Sequence, residues 1–120
     1  MKRDKEAVKE LKKLARKGDI QAIKALASMY DCLSIAFLKW NIKAGELGDS
    51  EAQENVAFYY LASRMKAKQS EEKKRENLLQ AKFWYEKMLE NPKVSTEDKI
   101  RVKGEILGIN DLLNLLTNNS

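Results

Sequence analysis

Apolar residues recur along this chain at intervals of three and four, with Lys and Glu filling most positions between them. That is the period of an α-helix, and β-branched residues nowhere alternate with polar ones over a strand length, so the pattern predicts an all-α protein. A first helix is expected over about 4–17, with Ala7, Val8, Leu11, Leu14 and Ala15 on one face and lysines on the other. Gly18 suits the left-handed position that ends a helix, and Asp19 suits the N-cap of the next. A second helix, about 20–30, is apolar almost all round (Ile20, Ala22, Ile23, Ala25, Leu26, Ala27, Met29, Tyr30), as befits the middle of a packed array. Asp31 or Ser34 caps a third helix running to Leu47, with Ile35, Leu38, Trp40, Ile42 and Ala44 inward.

Gly48-Asp49-Ser50 repeats the stop-and-start signal, and a fourth helix follows from 51 into the mid-60s with Ala52, Val56, Ala57, Tyr60 and Leu61 inward. The stretch 64–76 is heavily charged and reads either as helical extensions of its neighbours or as a loop broken near Gln69-Ser70. A fifth helix, about 72–90, is expected to bury Leu78, Leu79, Ala81, Trp84, Tyr85, Met88 and Leu89, stopping before Pro92. Ser95 caps a sixth, and Leu112, Leu113, Leu115 and Leu116 form a short further helix after Asn110-Asp111 that covers the open end.

Two internal echoes organise these elements. Gly18-Asp19, Ala22, Leu26, Ala27 and Tyr30 return thirty residues later as Gly48-Asp49, Ala52, Val56, Ala57 and Tyr60. The run Phe37 to Lys43 returns as Ala81 to Lys87, placing Trp40 and Trp84 in matching positions. Such repetition of helix-sized units points to a stacked helical array.

The residues quoted resemble the Sel1-like repeat, a relative of the tetratricopeptide repeat. The family's first helix reads roughly Gly-Asp-x-x-Ala-x-x-x-Leu-Gly-x-x-Tyr, with Ala27 and Ala57 here in place of the second Gly. Its second helix reads roughly Ala-x-x-Trp-Tyr-x-Lys-Ala-Ala-x-x-Gly; Ala81, Trp84, Tyr85 and Lys87 match it, and Trp40, Lys43, Ala44 and Gly48 match it in part. The resemblance covers residues 14–90 and fails at Asn91-Pro92. It implies antiparallel helix pairs stacked as a short α-α superhelix: a single domain over 1–120, with a basic first helix at 1–17, repeat units at 18–90 and capping helices at 91–120.

Charge adds a second theme. The 120-residue chain carries a formal net charge of +5, and residues 1–17 hold eight basic side chains against three acidic ones, so the remainder is neutral. An acidic partner at the first helix is the expectation. No apolar run approaches the ~20 residues that cross a bilayer, and no apolar h-region follows the basic N-terminus. With one cysteine, Cys32, at the start of the third helix, these features suggest a reducing, cytoplasmic setting.

Candidate chemistry is sparse. The chain has no histidine, which removes the commonest general base and metal ligand. Its glycines form no phosphate-binding loop, and its carboxylates are scattered among lysines. The expectation is therefore a protein that is not an enzyme, with no cofactor and no metal. It is read as a non-enzymatic protein-binding module of the adaptor, inhibitor or immunity type.

The contact residues are expected to be Lys9, Lys12, Lys13 and Arg16 on the first helix, Gln21, Lys24 and Ser28 on the second, and Gln53, Asn55 and Tyr59 on the fourth. Tyr59 and Tyr60 lie about 100° apart on a helix; Tyr60 matches Tyr30 and is assigned to the core, which leaves Tyr59 to the groove or solvent. The alternative is nucleic-acid binding through the Lys-rich first helix and the stretch Arg64, Lys66, Lys68, Lys73, Lys74 and Arg75. Interleaved acidic residues and the lack of a stacking platform weigh against it. A homodimer through an open end of the stack is compatible with either reading.

Overall fold

Glycine followed by aspartate sets the two sharpest corners of the molecule. Gly18 and Gly48 adopt φ of 89° and 96°, a left-handed conformation that costs an L side chain energy and glycine nothing. At each corner the aspartate N–H reaches back five residues, Asp19 to the Leu14 carbonyl and Asp49 to the Ala44 carbonyl, both at 3.1 Å. Each aspartate carboxylate then accepts from the third helical N–H, Asp19 from Ala22 at 3.1 Å and Asp49 from Ala52 at 2.8 Å. One corner therefore closes a helix and opens the next within two residues.

The computed structural model describes residues 5–66 and 68–118, and these form six α-helices: α1 (Lys5–Arg16), α2 (Ile20–Ala27), α3 (Ile35–Glu46), α4 (Ser50–Ser63), α5 (Glu71–Glu90) and α6 (Thr96–Asn118). The fold is all-α, with no strand among the described residues. Ser34 and Ser70 cap α3 and α5 by accepting from Phe37 and Lys73, and the Ser95 hydroxyl accepts from Asp98 at the start of α6. Substantial packing runs between sequence neighbours, α1 on α2 through to α5 on α6. The result is an open array of 53 × 36 × 22 Å with a radius of gyration of 16.1 Å, against about 13–14 Å for a compact domain of this length.

Several expectations about the elements are corrected. Helix α2 ends at Ala27, and the next three residues turn, leaving Tyr30 exposed; Tyr30 is thus no counterpart of Tyr60 in the core. Ile35, the first residue of α3, is 63 % exposed. The charged stretch divides: α4 stops at Ser63, Lys68 turns the chain with φ of 63°, and α5 starts after Ser70. On α5, Leu79 is exposed while Leu78 is buried beside it. Asn110-Asp111 does not break the chain, and α6 runs unbroken to Asn118. Ile109 beneath it is buried, with Leu112 and Leu113 packed on the same cluster, so packing overrides the weak helix propensity of the pair.

Two apolar clusters fill the array. The first joins Ala15, Ile23, Leu26, Ala44 and Ala52, with Val8, Leu11, Met29 and Trp40 packed against it. The larger one is built around Val56, Leu78, Ala81, Trp84, Tyr85, Met88, Val102 and Ile109. The two tryptophans do not play equivalent roles. Trp84 is 5 % exposed, whereas Trp40 is only half-buried. A Cβ at Gly45 would lie 2.9 Å from Trp84 Cζ3, so the indole sits flush on the α3 backbone where a side chain is missing. Thirty residues earlier the corresponding position is Ala15, which keeps its methyl group.

Candidate functional site

Helix α1 is strongly amphipathic, and its outer face carries Lys9, Lys12, Lys13 and Arg16, all exposed. With Glu6 and Glu10 these side chains line a shallow surface depression. None of the four cations is ion-paired with another described residue. The four side chains expected here from the sequence are therefore brought together.

A second feature lies where α2, α3 and α4 meet. Lys24, Ser28 and Asn55, three of the expected contact residues, line a cleft of about 130 Å³ together with Ala27, Phe37, Asn41 and Glu51. Asn55 donates to Asn41 Oδ1 at 3.1 Å, and Asn41 donates in turn to the Phe37 carbonyl at 2.9 Å, which fixes the polar wall. Lys24 Nζ sits 3.4 Å from Asp49 and 3.8 Å from Glu51, so its charge is already engaged. Ser28 Oγ donates to the Ala25 carbonyl at 2.6 Å. Gln21 is exposed on α2 but is not part of this cleft.

The remaining two expected contact residues are corrected. Gln53 is buried: its Nε2 donates to the Gly45 carbonyl at 3.0 Å, and its Oε1 accepts from Asn91 Nδ2 at 3.1 Å. Asn91 also donates to the Gly48 carbonyl at 3.0 Å, so the pair ties the end of α5 to the α3–α4 corner. Tyr59 is 8 % exposed, and Tyr60 is the more open of the two. Their rings meet edge to face with centroids 5.5 Å apart. Burial raises the Tyr60 hydroxyl above its ordinary pKa, with a smaller contribution from Tyr59. Helix α4 is flanked by α3 and α5 and so has a wide buried arc. A separation of 100° divides inside from outside only on a helix with one narrow stripe.

Other features of the surface leave little trace in the sequence. Phe37, Asn41 and Glu51 line the cleft, and only Asn41 and Asn55 at fourteen residues' spacing carried a hint of it. On the outer side of α3, Trp40 sits with Ala36, Lys39 and Lys43 in an open depression, with Lys43 Nζ 5.9 Å from the indole centroid. The matching pair on α5 places Lys87 Nζ 5.6 Å from the Trp84 centroid. This Trp–Lys spacing of three residues is a part of the internal echo that survives in three dimensions. A further pocket of about 270 Å³ lies between Arg64, Lys74, Leu78, Leu112, Leu115 and Leu116. Of the stretch considered for nucleic acid, Lys73 pairs with Glu76 at 3.6 Å.

Cys32 is a free, exposed thiol in the α2–α3 connection, ahead of the helix rather than at its start. Among the described residues no three metal-ligating side chains converge, and no helix is long and apolar enough to cross a membrane. No family model matches the chain, and neither do any curated protein or solved structure.

Proposed function

We propose that this chain is a non-enzymatic protein-binding module, a short array of the Sel1-like kind that holds an acidic partner surface in the cytoplasm. The observation that carries the reading is the row Lys9, Lys12, Lys13 and Arg16. All four are exposed on one helix and form no ion pair with another described residue. Four adjacent cations raise the local concentration of an acidic partner and speed encounter. The cleft of Lys24, Ser28 and Asn55 supplies hydrogen-bonding groups for the same partner. The adaptor, inhibitor and immunity roles share this mechanism of surface occlusion and differ in the target alone.

Affinity capture with the immobilised full chain tests it, with wild type compared against a variant carrying Lys9→Glu, Lys12→Glu, Lys13→Glu and Arg16→Glu. The expected outcome is an acidic protein retained by wild type at low salt and lost both in the variant and at ~1 M salt, where the screening length falls to ~3 Å. Identical retention by the two proteins at low salt contradicts the proposal. Because Glu in the last turn of α1 opposes the helix dipole, circular dichroism checks that the variant is folded, and a version with Gln at the four positions should show the same loss of retention.

A further inference from the structure

Helix α6 is apolar on two sides. One side packs on α5 through Val102 and Ile109, with Ile106, Leu112, Leu113 and Leu116 against the same cluster. On the other, Ile100 and Leu107 are exposed, Leu107 to 65 %, and the exposed Leu115 lies at the edge, where it also borders the pocket lined by Leu112 and Leu116. Gly104 and Gly108 lie among them, and a Cβ built on either glycine meets nothing within 4 Å. At 100° per residue, Ile100, Gly104, Leu107, Gly108, Asp111 and Leu115 share an arc of about 100°. An outer face meant for water would be polar, as the outer face of α1 is.

We infer that this face of α6 is a self-association surface, on which a second copy of the chain packs its own α6 in antiparallel orientation across a two-fold axis near Leu107. The two glycines leave the helix backbone unshielded by side chains, so the partner helix can approach closely, while the three large aliphatic residues lose water. Charge selects the antiparallel crossing. Lys103 and Asp111, both exposed and unpaired with any described residue, stand four residues to either side of Leu107 in one i±4 row, and in a ridge-into-groove crossing such rows of two copies run side by side. A two-fold axis there sets Lys103 of each copy against Asp111 of the other, giving two symmetric ion pairs. A parallel pair would instead set Lys103 against Lys103 and Asp111 against Asp111. A single helix pair is a small interface, so the dimer is expected to dissociate on dilution.

Sedimentation of the full chain from roughly 5 to 500 µM tests the inference. Wild type should shift from monomer to dimer, and Leu107→Lys should weaken the dimer by about tenfold or more. Leu107 is exposed, so circular dichroism should show that variant still folded. Lys103→Glu and Asp111→Lys should each weaken association, and the double variant should restore it. Wild type monomeric throughout, or a dimer indifferent to Leu107→Lys, overturns the surface. Failure of the double variant to recover overturns the antiparallel crossing.

Discussion

The corner between α1 and α2 and the corner between α3 and α4 share a backbone but not an interior. Both use a left-handed glycine, an aspartate cap and the same five-residue return bond. Beneath the second corner lie Gly45 against Trp84 and a closed set of hydrogen bonds among Gln53, Asn91, Gly45 and Gly48. Beneath the first, Ala15 takes the place of Gly45, Ile23 takes the place of Gln53, and Trp40 remains half in water. The first cluster buries three alanines and two larger residues, whereas the second includes Trp84, Tyr85 and Met88. Local capping rules thus repeat a corner faithfully while side-chain volume decides how tightly it is held. The proposed contact face lies on the looser unit.

The largest expected effect separates the tryptophans. Trp84→Ala should destabilise the protein by ~3–5 kcal/mol, and Trp40→Ala by less than half of that, because its indole is only partly removed from water. Equal losses in chemical denaturation would erase the distinction between the two units. Next comes the polar lock. Asn91→Ala leaves the buried Gln53 Oε1 and the half-buried Gly48 carbonyl without this donor and should cost ~1–3 kcal/mol.

Gly45→Ala is smaller because two effects oppose each other. Alanine favours the helix by ~1 kcal/mol, but its methyl group must displace a packed indole, which costs ~1–3 kcal/mol. A net loss that disappears in a Trp84→Leu background would show that the indole is the reason for the glycine.

The smallest effect concerns pH. Tyr85, buried where α4, α5 and α6 meet, has its hydroxyl pushed up to about 12, first by burial and then by Glu105 and Glu54, with Arg101 opposing. The folded state therefore holds this proton more tightly than the unfolded state, whose value is 10.0. Its contribution to stability is intact below about pH 10 and is lost as pH rises toward 12. Tyr85→Phe should flatten that part of the alkaline unfolding curve.

Much of this fold is legible in the sequence because it rests on short-range rules. The Gly-Asp pairs, the serine caps and the 3.6-residue period place five helices within a few residues of where they lie. The long α6 was not legible, since Asn110-Asp111 carries a local break signal that tertiary burial of Ile109 overrides. The candidate site was half legible. Charged residues on the strongly amphipathic α1 must face water, so the exposure of Lys9, Lys12, Lys13 and Arg16 is legible. Gln53 and Tyr59 sit on a helix covered from two sides, and there a polar residue can be structural. Nothing in a single sequence tells that Gln53 will find Asn91, 38 residues away.

Native-state hydrogen exchange tests the central contrast most directly, because it reads the opening free energy of each unit in one unmodified molecule. Amides of α1 and α2, including Ile23 and Leu26, should exchange through a partial opening. That opening should lie ~1–3 kcal/mol below the one governing Ala81, Trp84 and Tyr85 in α5. A single opening free energy shared by α2 and α5 would contradict it, because the two corners would then be held equally well despite their different interiors.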